Sequence, residues 1–208
     1  MNVAKTFDRE KHIYRSDYFA EIIKDTIRFF NGTPVHCLPP PEKFEGAGVY
    51  ALYYIGKNTY YEHLYNINRL NFVQPIYVGK AVPRGWRQAR LQNASNELYL
   101  RLSDHFKSIS QTDNLDIYDF RCRFMILEDA AADMIGTVEA ALIREYKPVW
   151  NSCIDGFGNH DPGKGRYQQS KSEWDMLHPG RRWAEKLNAS PFSLTEIKQK
   201  VSSYFENE

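Results

Sequence analysis

Two tyrosines, an arginine with a histidine four positions on, and one glutamate on an apolar helix face are the side chains best suited to chemistry in these 208 residues. Tyr50 lies in Gly48-Val49-Tyr50 and Tyr77 in Tyr77-Val78-Gly79-Lys80, both in short segments rich in Val, Ile and Tyr that read as strands. Arg101 and His105 share one helix face, because residues four apart stack along it. A guanidinium so placed can hold a phosphate with two parallel hydrogen bonds, and the imidazole can bind the same phosphate or move a proton. Glu139 precedes Leu142 and Ile143 by three and four positions, so it points with the apolar stripe of its helix. A buried carboxylate needs a partner. A salt bridge would serve, and so would a hard cation such as Mg²⁺, which keeps most of its own waters.

Tyr54 of Tyr54-Ile55-Gly56 competes with Tyr77 for the role of second tyrosine. It shares a strand with Tyr50, ~13 Å away at ordinary strand rise, too far to act on the same phosphate. Tyr77, reached through residues 57–74, can return on a neighbouring antiparallel strand and come within ~5 Å of Tyr50.

The pair Gly48-Val49-Tyr50 and Tyr77-Val78-Gly79 is similar to the two half-motifs of the GIY-YIG nucleases. The spacing E-x-x-L-I-x-x-x-x-P-x-x-N from Glu139 to Asn151 resembles the closing motif of that family. The resemblance runs in order from Gly48 to Asn151. It implies metal-assisted hydrolysis of DNA phosphodiesters, with Tyr77 and Arg101 holding the phosphate and Tyr50 the best candidate, beside His105 and a metal-bound water, to take the proton of the attacking water. Ionising a tyrosine needs a nearby cation, which Lys80, His105 or the metal would supply; His105 would otherwise bind the phosphate or assist proton transfer, and Asn151 would bond to the catalytic strands or to the phosphate. Glu139 would anchor one Mg²⁺, with Mn²⁺ able to substitute.

Two further stretches, Pro83 to Arg90 and Ser172 to Trp183, resemble the type II restriction endonucleases of this superfamily that cut the palindrome CCGCGG. That implies a homodimer on double-stranded DNA and no small-molecule cofactor. Arginine pairs with guanine through two hydrogen bonds in the major groove, so a GC-rich site suits a basic surface. Arg84, Arg87, Arg90, Lys164, Arg166, Arg181 and Arg182 are the residues expected to meet DNA. A repair or mobile-element nuclease on the same core is a rival reading, against which stand insertions woven into one chain. A catalytically silent DNA-binding module is another, but it would have no need to keep Tyr50, Tyr77, Arg101, His105 and Glu139 together.

The elements that must position these groups make an α+β fold, a small antiparallel three-stranded sheet flanked by helices. Strands are expected over 48–55, 75–79 and 118–127, and helices over 17–30, 96–108 and 133–146. Residues 1–45 form an N-terminal arm, 46–151 the core with insertions 57–74 and 82–95, and 152–208 an extension that contacts DNA. In the third strand Phe120, Cys122, Phe124 and Ile126 alternate with Arg121, Arg123 and Met125, which predicts one buried and one wet face. Leu98, Leu102 and Phe106 predict the inner stripe of the second helix. Ser193 and Glu196 have the spacing of a capping box.

The formal net charge is +1, but its distribution is uneven. Residues 80–107 hold six basic side chains against two acidic ones, and 113–145 hold eight acids against three arginines, which fits a DNA-facing side and an acidic back. Cys37, Cys122 and Cys153 are too scattered for a metal cluster and read as reduced, buried spacers. No membrane-length apolar run and no apolar leader occur, so the expectation is a cytoplasmic protein.

Overall fold

The computed structural model describes residues 6–83, 96–163 and 165–206. The strands β1 (Val35–Cys37), β2 (Gly48–Tyr54), β3 (Tyr77–Ala81) and β4 (Phe120–Ile126) pair antiparallel in the order β1-β4-β2-β3. Three of them are the strands expected from sequence. The fourth, β1, pairs at the edge of β4 and is too short to show an alternation of its own.

All seven residues of β2 are buried, because helices cover both faces of the sheet. Tyr50, Leu52 and Tyr54 pack with Leu98, Leu102 and Ile109 of α3 (Glu97–Ser110) and with Trp150 and Trp174. Val49, Ala51 and Tyr53 point the other way, against Phe30 of α1 (Asp17–Gly32) and Ile135, Val138 and Leu142 of α4 (Ile135–Tyr146). Each such aliphatic side chain, fully removed from water, contributes about 1.5–3 kcal/mol. This double cover overturns the simple alternation expected for β4. Met125 is buried on the face expected to be wet, and Ile126, at the strand end, is 38% exposed.

In α3 the inner stripe is Leu98, Leu102, His105 and Ile109, while Phe106 is exposed. A step of three from Leu102 therefore carries an imidazole, in place of the expected phenyl ring, into the core. The α4 helix ends where Lys147 adopts a left-handed conformation with φ 40°, and Pro148 leads into α5 (Val149–Ser152). Within the 57–74 connection lies α2 (Glu62–Asn68), whose buried Asn68 donates to Tyr54 O and Gln74 O and accepts from the Val73 and Gln74 amides. That one side chain ties the start and the end of the connection to β2.

The extension adds α6 (Glu173–Leu177) and α7 (Leu194–Glu206). The capping box before α7 forms in both directions, Glu196 N donating to Ser193 Oγ at 3.3 Å and Ser193 N to Glu196 Oε2 at 2.7 Å. Cys122 and Cys153 are buried as expected, but Cys37 is exposed because it ends an edge strand. Among the described residues, no helix is long and apolar enough to cross a membrane.

Candidate active site

Tyr50 sits in the inner strand β2 opposite Gly79, not opposite Tyr77, which pairs with Leu52. The two tyrosine rings therefore meet along a diagonal, with centroids 6.2 Å apart, and the direct cross-strand approach expected from sequence is replaced by this longer one. The reason is steric. A side chain at Gly79 would come within 2.6 Å of Tyr50 Cζ, so only a glycine leaves room for the ring to lie over β3.

The α3 helix brings Arg101 and His105 onto the same face of the sheet as the two tyrosines. His105 Nε2 lies 2.5 Å from the Tyr50 hydroxyl oxygen, and its ring is 5.3 Å from that of Tyr77. Burial pushes the Tyr50 phenol well above its usual range, with Tyr77 adding to this and Arg101 opposing it. Burial and then Arg101 hold His105 well below the usual imidazole range. With Tyr50 protonated and His105 neutral, the phenol donates and the imidazole accepts. His105 is thus a proton acceptor for Tyr50 and not the cation that would ionise it. The Tyr77 phenol is also raised, chiefly by burial, and again Arg101 opposes the shift.

Lys80 and Glu139 approach around the free edge of β3. Strand alternation turns Lys80 to the α4 face, where its Nζ donates to Glu139 Oε2 at 2.6 Å. Glu139 lies at the border of the apolar stripe, with its side chain 19% exposed, and the salt bridge is the partner it has in the free protein. Its carboxylate is near enough to act on both Tyr50 and Tyr77, whose ionisation it opposes. Asn151 holds the same edge from outside, its Oδ1 accepting from Val78 N at 2.8 Å and its Nδ2 donating to Val78 O at 2.9 Å. Trp150 N donates to Ile76 O at 3.0 Å, so the residues after α4 complete the open hydrogen bonds of β3.

The site is closed by a strap, residues 156–160, that the sequence did not single out for chemistry. Phe157 stacks on His105 with centroids 4.6 Å apart and stands edge-on to Tyr77 at 4.8 Å. Gly158 O accepts from Arg101 Nη2 at 3.2 Å, and a side chain at Gly158 would come within 2.8 Å of the Tyr77 hydroxyl. His160 Nε2 takes the other arm of the guanidinium, Arg101 Nη1. The Gly-rich composition of the loop and its single Phe-Gly step were the available signals.

A family model described as the Eco29kI GIY-YIG domain matches residues 42–205. The chain belongs to this GIY-YIG restriction endonuclease family. No curated protein matches it. The GIY-YIG nuclease therefore carries Tyr50, Tyr77, Arg101 and His105 in one cluster, with Glu139 and Lys80 at its rim and Asn151 behind β3.

The DNA-contacting set divides differently from expectation. Arg166 and Arg182 are exposed. Arg181 is 1% exposed and turned inward, its Nε donating to Asp175 Oδ1 at 2.6 Å. Its terminal nitrogens donate to the carbonyls of Gly156, Phe157 and Asn159, and the guanidinium stacks against Trp174 and Trp183. A cation buried with a carboxylate and three carbonyls has no donor turned to solvent, so Arg181 fixes the strap instead of meeting DNA. Arg84, Arg87, Arg90 and Lys164 lie outside the described residues.

Proposed function

We propose that this nuclease is a site-specific endonuclease that cuts both strands of double-stranded DNA at a palindromic, GC-rich site such as CCGCGG, assisted by a divalent metal ion. The hydrogen bond between Tyr50 and His105 beside Arg101 is the observation that carries the reading. It couples a phenol that can meet the attacking water to a neutral base in a dry pocket. The water gives a proton to the Tyr50 oxygen while the phenolic proton passes to His105 Nε2. The water oxygen forms the new bond to phosphorus, and the 3′-oxygen departs on the opposite side. Burial disfavours the resulting imidazolium, and the negative charge gathering on the phosphate offsets that penalty. Arg101 and Tyr77 hold the phosphate.

Glu139 is the residue that would hold the metal. A single, partly exposed carboxylate suits Mg²⁺, which keeps several waters and takes its other ligands from phosphate, and Mn²⁺ suits the same oxygen donor. When bound, the ion supplies positive charge to the phosphate and makes a water more acidic. Lys80 would give the phosphate a second cation. Asn151 acts through Val78 by keeping Tyr77 in place.

A palindrome presents two equivalent strands, which a two-fold symmetric homodimer meets with one site each. Exposed Phe19 and Ile22 on α1 and Leu70 and Val73 in the 57–74 connection are apolar surface suited to that contact. Arg84, Arg87, Arg90, Lys164, Arg166 and Arg182 remain the proposed DNA contacts. Incubation with plasmid DNA, with and without Mg²⁺, tests the whole reading. Discrete linear fragments that need the metal support it. Nicked circles alone would remove the two-strand claim, smearing the site-specific one, and DNA retardation without cleavage the enzymatic one.

A further inference from the structure

The strap over the active site is anchored more firmly than a passing loop. Arg181 bonds to three of its carbonyls, and the Arg181–Asp175 pair that does so is buried on both sides. The anchored strap delivers two acceptors to the two ends of the Arg101 guanidinium, Gly158 O and His160 Nε2. The two guanidinium nitrogens they occupy, Nη2 and Nη1, are the donors with which an arginine forks a phosphate. A carbonyl can only accept, so Gly158 O offers nothing to a phosphate oxygen. An imidazole can change its role, because a proton gained at Nε2 turns the acceptor into a charged donor. His160 is exposed, so a duplex can reach it, and it stands next to the group that must receive the scissile phosphate.

We propose that His160 is a further phosphate ligand of the cleavage site, accepting from Arg101 in the free protein and donating to a phosphate oxygen when DNA is bound. The proposal rests on the nuclease reading above. The groups that set its charge are Arg101 and Asp104 of α3 and Arg181 of the extension, and His105 of α3 is the further titratable group coupled to it. Burial and Arg101 hold the free imidazole below its usual range, Asp104 opposes them, and Arg181 adds to the depression. A bound phosphate places negative charge between His160 and Arg101 and reverses the balance. The proton comes from solvent and returns to it when the cut DNA leaves.

The test follows the His160 ring by NMR, its signal assigned by its loss in His160→Gln. The sample is metal-free, with and without a short duplex containing CCGCGG. DNA should raise the titration midpoint of His160 by about one unit or more. In single-turnover cleavage His160→Ala should be slower by about tenfold or more, and His160→Gln, which keeps a donor, should recover part of the loss. An unmoved His160 titration with DNA bound, or His160→Ala cutting at the wild-type rate, overturns the proposal. If DNA shifts His160 and yet the wild type never cuts, His160 stands as a phosphate ligand and the nuclease reading falls. If the wild type cuts and His160 does not move, this inference alone falls.

Discussion

Gly79 faces Tyr50 directly across the β2–β3 ladder, and the absence of a side chain there lets the phenol reach His105. A methyl group at Gly79 would overlap the Tyr50 hydroxyl. Gly79→Ala should therefore displace the ring, cost about 1–3 kcal/mol of stability through overpacking and slow cleavage about a hundredfold or more. Thermal melting and single-turnover cleavage read the two effects separately. A Gly79→Ala protein that cuts at the wild-type rate would show that the Tyr50 position is not critical.

Tyr50→Phe removes the donor to His105 and should bind DNA but fail to cut. Tyr54 serves as the internal control. Its hydroxyl accepts from Asn58 N at 3.0 Å, on the core side of β2 beyond the end of β3. Tyr54→Phe should lose about 0.5–1.5 kcal/mol of stability and keep its cleavage rate. The reverse outcome, activity lost in Tyr54→Phe and kept in Tyr50→Phe, would mean that the wrong half-motif had been chosen.

Asn151 satisfies both polar groups of Val78. Asn151→Ala leaves that amide and carbonyl without their partner and should cost about 1–3 kcal/mol. Asn151→Asp, nearly the same shape, places a carboxylate oxygen against the Val78 carbonyl and should be at least as damaging to cleavage. Urea denaturation and cleavage rates of the two variants decide. Full activity in Asn151→Asp would argue against positioning through Val78.

Two buried histidines make stability depend on pH. His178 accepts from the Tyr61 hydroxyl and donates to Asn114, and burial, with Arg181 second, pushes it down to about 3. His105 is depressed by burial and then by Arg101. The unfolded chain binds a proton at each histidine below about pH 6.5, whereas the folded chain does not until far lower. Stability is therefore present above that value and is lost as pH falls from about 6.5 towards 3. His178 should cost about 2 kcal/mol between pH ~7 and pH ~5, and His105 acts in the same direction. Urea denaturation at these two values should show a shallower loss in His178→Gln than in the wild type. Equal losses would contradict the assignment of His178 as a buried neutral group.

Residues 48–54, 97–110 and 135–146 form the elements that the sequence predicts, because long apolar periods and Pro148 mark them, whereas β3 at 77–81 starts and ends two residues later than the expected 75–79. The capping box at Ser193 was equally legible, since its four residues interact locally. The exceptions depend on tertiary placement. Met125 is buried because α1 and α4 cover the second face of the sheet, which a single strand pattern does not reveal. Arg181 reads as a surface base in sequence, and its burial follows from Asp175, Trp174, Trp183 and three loop carbonyls meeting at one point. The diagonal contact between Tyr50 and Tyr77 depends on strand register. His160 and Phe157 join the site through a loop whose course no local period encodes.

In the proposed function Glu139 serves the metal while other residues grip DNA, a division of labour that Glu139→Gln separates. The variant removes an anionic ligand, keeps the volume and leaves Arg101, Tyr50 and His105 in place. Cleavage of plasmid DNA in Mg²⁺ should be measured beside binding to a short duplex. Glu139→Gln should bind with wild-type affinity within about threefold and give no fragments where the wild type gives discrete ones. A variant that cuts at a near wild-type rate would contradict that division of labour.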